Sequence, residues 1–97
     1  AHAADLRMST VNLTECLILI EDRQPQGFEE IKKEILESSI RFVPPSIPQA
    51  QIAAQARLEY PLNLGDCFAY ALAKTEGTAL LTLDPDFKKT DIKVVKL

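Results

Sequence analysis

Apolar residues recur along this chain in two rhythms. Short apolar or β-branched stretches at 8–11, 40–43, 78–83 and 92–95 are each bounded by polar or turn-forming residues and read as strands. Between them the spacing lengthens to a helical period. Leu13, Cys16, Leu17 and Ile20 form one apolar face, with Asn12 as the predicted cap and Gln24–Pro25–Gln26–Gly27 as the stop. Phe28, Ile31, Ile35 and Leu36 predict a second helix, whose solvent side carries Glu29, Lys33 and Glu37 at ion-pair spacing. Ser46 and Gln49 predict a capping box for a third helix bearing Ile52, Ala53, Ala56 and Tyr60, ended by Pro61. Asn63 then opens a fourth helix within LNLGDCFAYALA, and Gly77 has the C-cap position.

The predicted order is strand, two helices, strand, two helices, strand, short turn, strand. Such alternation implies an α/β domain with a mostly parallel central sheet flanked by helices in three layers. Crossovers are expected to be right-handed, and Lys93 and Lys96 mark the last strand as an edge.

Ninety-seven residues, 46% of them hydrophobic, suit one domain with a modest core. No apolar run reaches the roughly 18 residues of a membrane span, which points to a cytoplasmic protein without a membrane partner. Net charge is −3 and the pI about 5.1, with no basic patch in view, so bulk electrostatics do not draw this chain to nucleic acid. A phosphate-bearing substrate would need a cation other than lysine and arginine. Cys16 and Cys67 lie in apolar runs, where free, buried thiols are expected.

In a parallel sheet, ligands gather beyond the carboxyl ends of the strands. Glu15 is predicted in the first turn of the helix after strand 8–11, and Asp84 directly follows strand 78–83. The helix holding Asp66 enters that strand through a short link, so helix and strand run in opposite directions. Its amino end, with Asp66, is therefore expected at the same edge. Taken singly, each acid is accounted for by capping, by the helix dipole or by a turn. Together they are not: two carboxylates about 4 Å apart repel by on the order of 4 kcal/mol at an effective dielectric near 20. A cation offsets such repulsion, and hard oxygen ligands suit Mg²⁺ or Mn²⁺ and phosphoryl chemistry.

The segments STVNLTE at 9–15, LNLGDCFAYALAKTEG at 62–77 and ALLTLDPDFKKTDI at 79–92 resemble a PIN domain, in particular the VapC-type toxins of toxin–antitoxin pairs. That resemblance implies a metal-dependent endoribonuclease with an RNA substrate, a cognate antitoxin and a homodimeric state. It implies catalytic, metal-binding roles for Glu15, Asp66 and Asp84, with Asp86 a further metal ligand beside Phe87. Thr82 is expected to orient a carboxylate through its hydroxyl, and Thr10 is a second candidate for that task. The family's opening strand, with its aspartate, has no counterpart here; Asp5, in AHAADLR, resembles the tail of the helix before the second strand. The expectation is one PIN-like domain over 1–97, truncated at its amino end and self-associating through the helices at 13–24 and 28–39. The competing reading is a non-catalytic interaction module that dimerises or binds an antitoxin, its acids serving as caps. A phosphotransfer receiver fits less well, since it needs an acid pair after the first strand and a lysine after a late one.

Overall fold

The computed structural model describes residues 6–77, 80–82 and 94–96. Within them the chain runs β1 (Arg7–Ser9), α1 (Thr10–Arg23), α2 (Phe28–Leu36), β2 (Arg41–Val43), α3 (Ile47–Glu59), α4 (Leu64–Glu76), β3 (Leu80–Thr82) and β4 (Val94–Lys96). This is the expected alternation. The strands form two parallel pairs, β1 with β2 and β3 with β4. The short turn expected between the last two strands lies outside the described residues.

The strand ends two residues earlier, and the helix begins three residues earlier, than the apolar pattern suggests. Ser9 is buried and extended, and its hydroxyl oxygen accepts a hydrogen bond from the Val11 amide at 3.2 Å. That satisfies one of the free donors of the first turn, so the helix starts at Thr10 and the cap is Ser9, not Asn12. Glu15 consequently stands in the second turn, and the first turn contains no acid. One helical turn on, the Thr14 hydroxyl donates to the Thr10 carbonyl at 3.0 Å.

The core lies between α3 and α4. Ala53, Ala56, Leu62, Cys67, Tyr70, Ala71 and Ala73 are buried together, and the alanines let the two helices approach closely. Tyr60 and Tyr70 pack ring to ring, their centroids 5.4 Å apart and tilted by 55°. Half of the predicted capping box on α3 is realised. The Ser46 hydroxyl accepts from the Gln49 amide at 3.2 Å, while the Gln49 side chain turns inward and donates to the Thr75 hydroxyl of α4 at 3.0 Å. Helix α4 also packs against α1, β1 and β3, so it touches both strand pairs. An Arg7–Glu76 ion pair of 2.7 Å ties β1 to the last turn of α4.

Charges on α2 also differ from the expected spacing. Lys32 lies 3.0 Å from Glu29 and 5.2 Å from the Phe28 ring centre. Three residues of separation suffice on a helix, and the aromatic face adds attraction for the ammonium.

Both ends of α4 follow the sequence closely. Asn63 caps it, its side-chain oxygen accepting from the Asp66 amide at 2.8 Å, and Gly77 ends it in the left-handed conformation at φ 66°. Asn63→Ala is expected to lower unfolding free energy by about 1 kcal/mol, while Asn63→Asp retains most of the cap. Urea unfolding of the two variants checks this, and an unchanged midpoint for Asn63→Ala would contradict the capping role.

Candidate functional site

The crossing of α1 and α4 brings Glu15 to the start of the helix that carries Asp66. Asp66 is the third residue of α4 and is half-buried. Glu15 reaches from the second turn of α1, and its carboxylate rests against the bare α-carbon of Gly65, the residue before Asp66. A Cβ built on Gly65 would overlap both oxygens and the carboxyl carbon of Glu15. The space beside Gly65 is thus taken by the neighbouring acid itself. Glycine is required here for close approach, not for its backbone freedom. The Glu15 carboxylate also meets the positive end of the α4 dipole, which favours negative charge.

Asn12 fixes this arrangement. Its Nδ2 donates to the Gly65 carbonyl at 2.9 Å and to Glu15 Oε1 at 3.2 Å. One amide group therefore joins the backbone of α4 to the carboxylate that lies upon it. Sequence reading assigns Asn12 to a cap and misses this role. The available signal is its position three residues before Glu15, which puts the two side chains on one helical face.

The other predicted residues are distributed as follows. Thr10 is the first residue of α1 and half-buried, and its carbonyl is engaged by Thr14. Thr82 is the last residue of β3, in register with Lys96 of β4. Asp84 and Asp86 lie outside the described residues.

Both cysteines sit next to the acids in sequence, Cys16 after Glu15 and Cys67 after Asp66, and both are free thiols. Burial pushes the Cys16 thiol up, and the Glu15 carboxylate adds to the effect. Burial also raises Cys67, with Arg57 opposing and Asp66 reinforcing it. Neither thiol is thereby poised as a nucleophile or a soft metal ligand at neutral pH.

Among the described residues, no three His, Cys, Asp or Glu side chains form a group able to hold a metal ion. The donors that Glu15 and Asp66 offer are carboxylate oxygens. Their chemistry fits Mg²⁺ or Mn²⁺, which take few carboxylates and retain several waters.

The PIN domain family model matches residues 1–93. The chain belongs to the PIN domain family. It is 37% identical over 97 residues to Ribonuclease VapC of Mycolicibacterium smegmatis, spanning 91% of this chain and 74% of that protein. Ribonuclease VapC30 of Mycobacterium tuberculosis is 36% identical over 99 residues, spanning 93% of this chain and 75% of the relative. Among solved structures, VapBC2 from Rickettsia felis bound to a DNA fragment from their promoter superposes with a TM-score of 0.77 at 16% identity, covering 98% of this chain and 78% of that one. At that identity the likeness shows the fold, which is the α/β fold of a PIN domain.

The seating of Glu15 on Gly65 has a measurable signature in this PIN domain. Alanine exceeds glycine in helix propensity by about 1 kcal/mol. Gly65→Ala is therefore expected to stabilise a Glu15→Ala protein by about that amount, and the parent by distinctly less, because Glu15 has to move. Urea unfolding of the four proteins of this cycle measures the difference, and equal effects in both backgrounds would contradict the contact.

Proposed function

We propose that this PIN domain, a single unit over residues 1–97, is a divalent-metal-dependent endoribonuclease of VapC type that hydrolyses RNA phosphodiester bonds. The observation that carries the reading is the Glu15 carboxylate seated on Gly65, the residue before Asp66, in the first turn of α4. Membership of the PIN family, and relatives named as ribonucleases, support it.

In this reading Glu15 and Asp66 hold Mg²⁺ or Mn²⁺, and Asp84 and Asp86, beyond β3, complete the acidic set. When bound, the cation supplies Lewis-acid charge and lowers the pKa of water. The chain's own residues do the rest. Asn12 and Gly65 hold the Glu15 carboxylate in place. Asp66 is held by the first turn of a helix capped at Asn63, so its main chain is fixed. Thr82, ending β3, and Thr10, opening α1, are assigned the orientation of neighbouring carboxylates. A cation among these acids also accounts for the approach of a polyanion to a protein of net charge −3.

The partners in this reading are a cognate antitoxin and a second copy of the chain. A VapBC complex of the same fold supports the first. For the second, α1 and α2 leave large apolar side chains in water, with Ile18 65%, Leu36 51% and Leu19 48% exposed. These are the helices expected to self-associate. No helix among the described residues is long and apolar enough to cross a membrane, and we assign the protein to the cytoplasm, where free thiols persist.

RNA cleavage is expected to require Mg²⁺ or Mn²⁺ and to be abolished by Asp66→Asn, with the protein sedimenting as a dimer at micromolar concentration. Asparagine keeps nearly the same shape and its cost as a cap substitute is about 1 kcal/mol or less, so the variant should fold. Divalent-dependent cleavage at the parent rate by folded Asp66→Asn would contradict the assignment.

A further inference from the structure

Asn12 does something that neither its helix nor the core demands. Both of its hydrogen bonds leave from one nitrogen, to Glu15 Oε1 at 3.2 Å and to the Gly65 carbonyl at 2.9 Å. Two acceptors on one side decide the orientation of the amide. Turning it over would set its oxygen against two other oxygens, with no proton between them. The cost of this orientation is visible at the other end of the group: among the described residues, Asn12 Oδ1 is buried without a hydrogen-bond partner. A side chain retained for stability alone would not leave a buried acceptor in that condition.

Glu15 has few other constraints. It is an exposed residue on a flexible side chain, and the surface it rests on, the Gly65 α-carbon, offers no hydrogen bond of its own. Among the described residues, the one hydrogen bond to the carboxylate comes from the Asn12 amide. Because that amide simultaneously grips the backbone one residue before Asp66, it sets the position of Glu15 relative to Asp66.

We infer that Asn12 is a positioning residue, which holds the Glu15 carboxylate against α4 so that Glu15 and Asp66 present oxygens to one divalent cation. This rests on the metal-site reading above and deepens it. Asn12 itself touches neither metal nor RNA. Its loss therefore weakens cation binding while sparing the reaction once the cation is bound. Groups that orient metal ligands typically govern affinity by about 10–100-fold.

The test compares the parent with Asn12→Leu, which keeps the volume and shape but cannot donate, and with Asn12→Ala. Manganese binding is followed by electron paramagnetic resonance without RNA, and cleavage is followed across a Mn²⁺ titration. Both variants are expected to bind Mn²⁺ about 10-fold more weakly. The Mn²⁺ concentration for half-maximal cleavage should rise by the same factor, and the rate at saturating Mn²⁺ should return to near the parent value. A folded variant with parent Mn²⁺ affinity overturns the role of Asn12 and leaves the metal site standing. A parent protein that binds no Mn²⁺ overturns both. A measurement on the unaltered protein covers the case in which neither variant folds: the side-chain amide resonances of Asn12 are expected to shift in step with Mg²⁺ binding. Amide resonances that stay fixed through saturation overturn the inference.

Discussion

The contact on which the rest depends is a carboxylate lying on a bare α-carbon. Glu15 of α1 can reach the start of α4 only because Gly65 has no side chain there. Any other residue at 65 would push the two helices apart or turn Glu15 away. The same approach lets Asn12 bridge helix to helix with a single amide. Two segments more than fifty residues apart in sequence are thereby joined one residue before Asp66.

Helix α4 makes this junction rigid. Its first turn is capped by Asn63, its middle is buried against α3 by a run of small residues, and its last turn is tied to β1 by the Arg7–Glu76 pair. The pair is partly exposed and contributes modestly, about 0–1 kcal/mol. Packing of the alanines is what fixes the helix. Ala71 has no exposed surface, and close-packed sites of this kind resist enlargement at about 1–3 kcal/mol. An acid on the first turn of such a helix is held by the core beneath it. Glu15, on the more exposed α1, depends on Asn12 instead. The two acids are thus held by different means.

Much of this was legible in the sequence because local chemistry and the global fold agree. Asn63 and Gly77 bracket α4, and helical spacing between short β-branched runs announces the α/β alternation. Strand and helix directions alone also put Glu15 near the start of the helix that carries Asp66, where its carboxylate rests on Gly65. Less legible were contacts decided by distant partners. Thr10 and Val11 look like strand residues, but a buried Ser9 hydroxyl starts the helix before them. Gln49 sits where a capping box would use it, yet Thr75 across the helix pair claims its amide. Asn12 reads as a cap until Gly65, far away in sequence, supplies a carbonyl. Lys32 in place of Lys33 on Glu29 shows the same limit on a smaller scale, since an aromatic ring tips the choice. The carboxylates at 84 and 86 lie outside the described residues, so Glu15 and Asp66 carry the structural case.

The central claim is that the seat on Gly65 exists to bring two carboxylates onto one cation. Crystals soaked in Mn²⁺ and measured for anomalous scattering test it most directly. The prediction is a peak in contact with carboxylate oxygens of both Glu15 and Asp66, with the Asn12 amide still bridging Glu15 to the Gly65 carbonyl. Manganese bound only elsewhere, in crystals where Glu15 remains on Gly65, would contradict it.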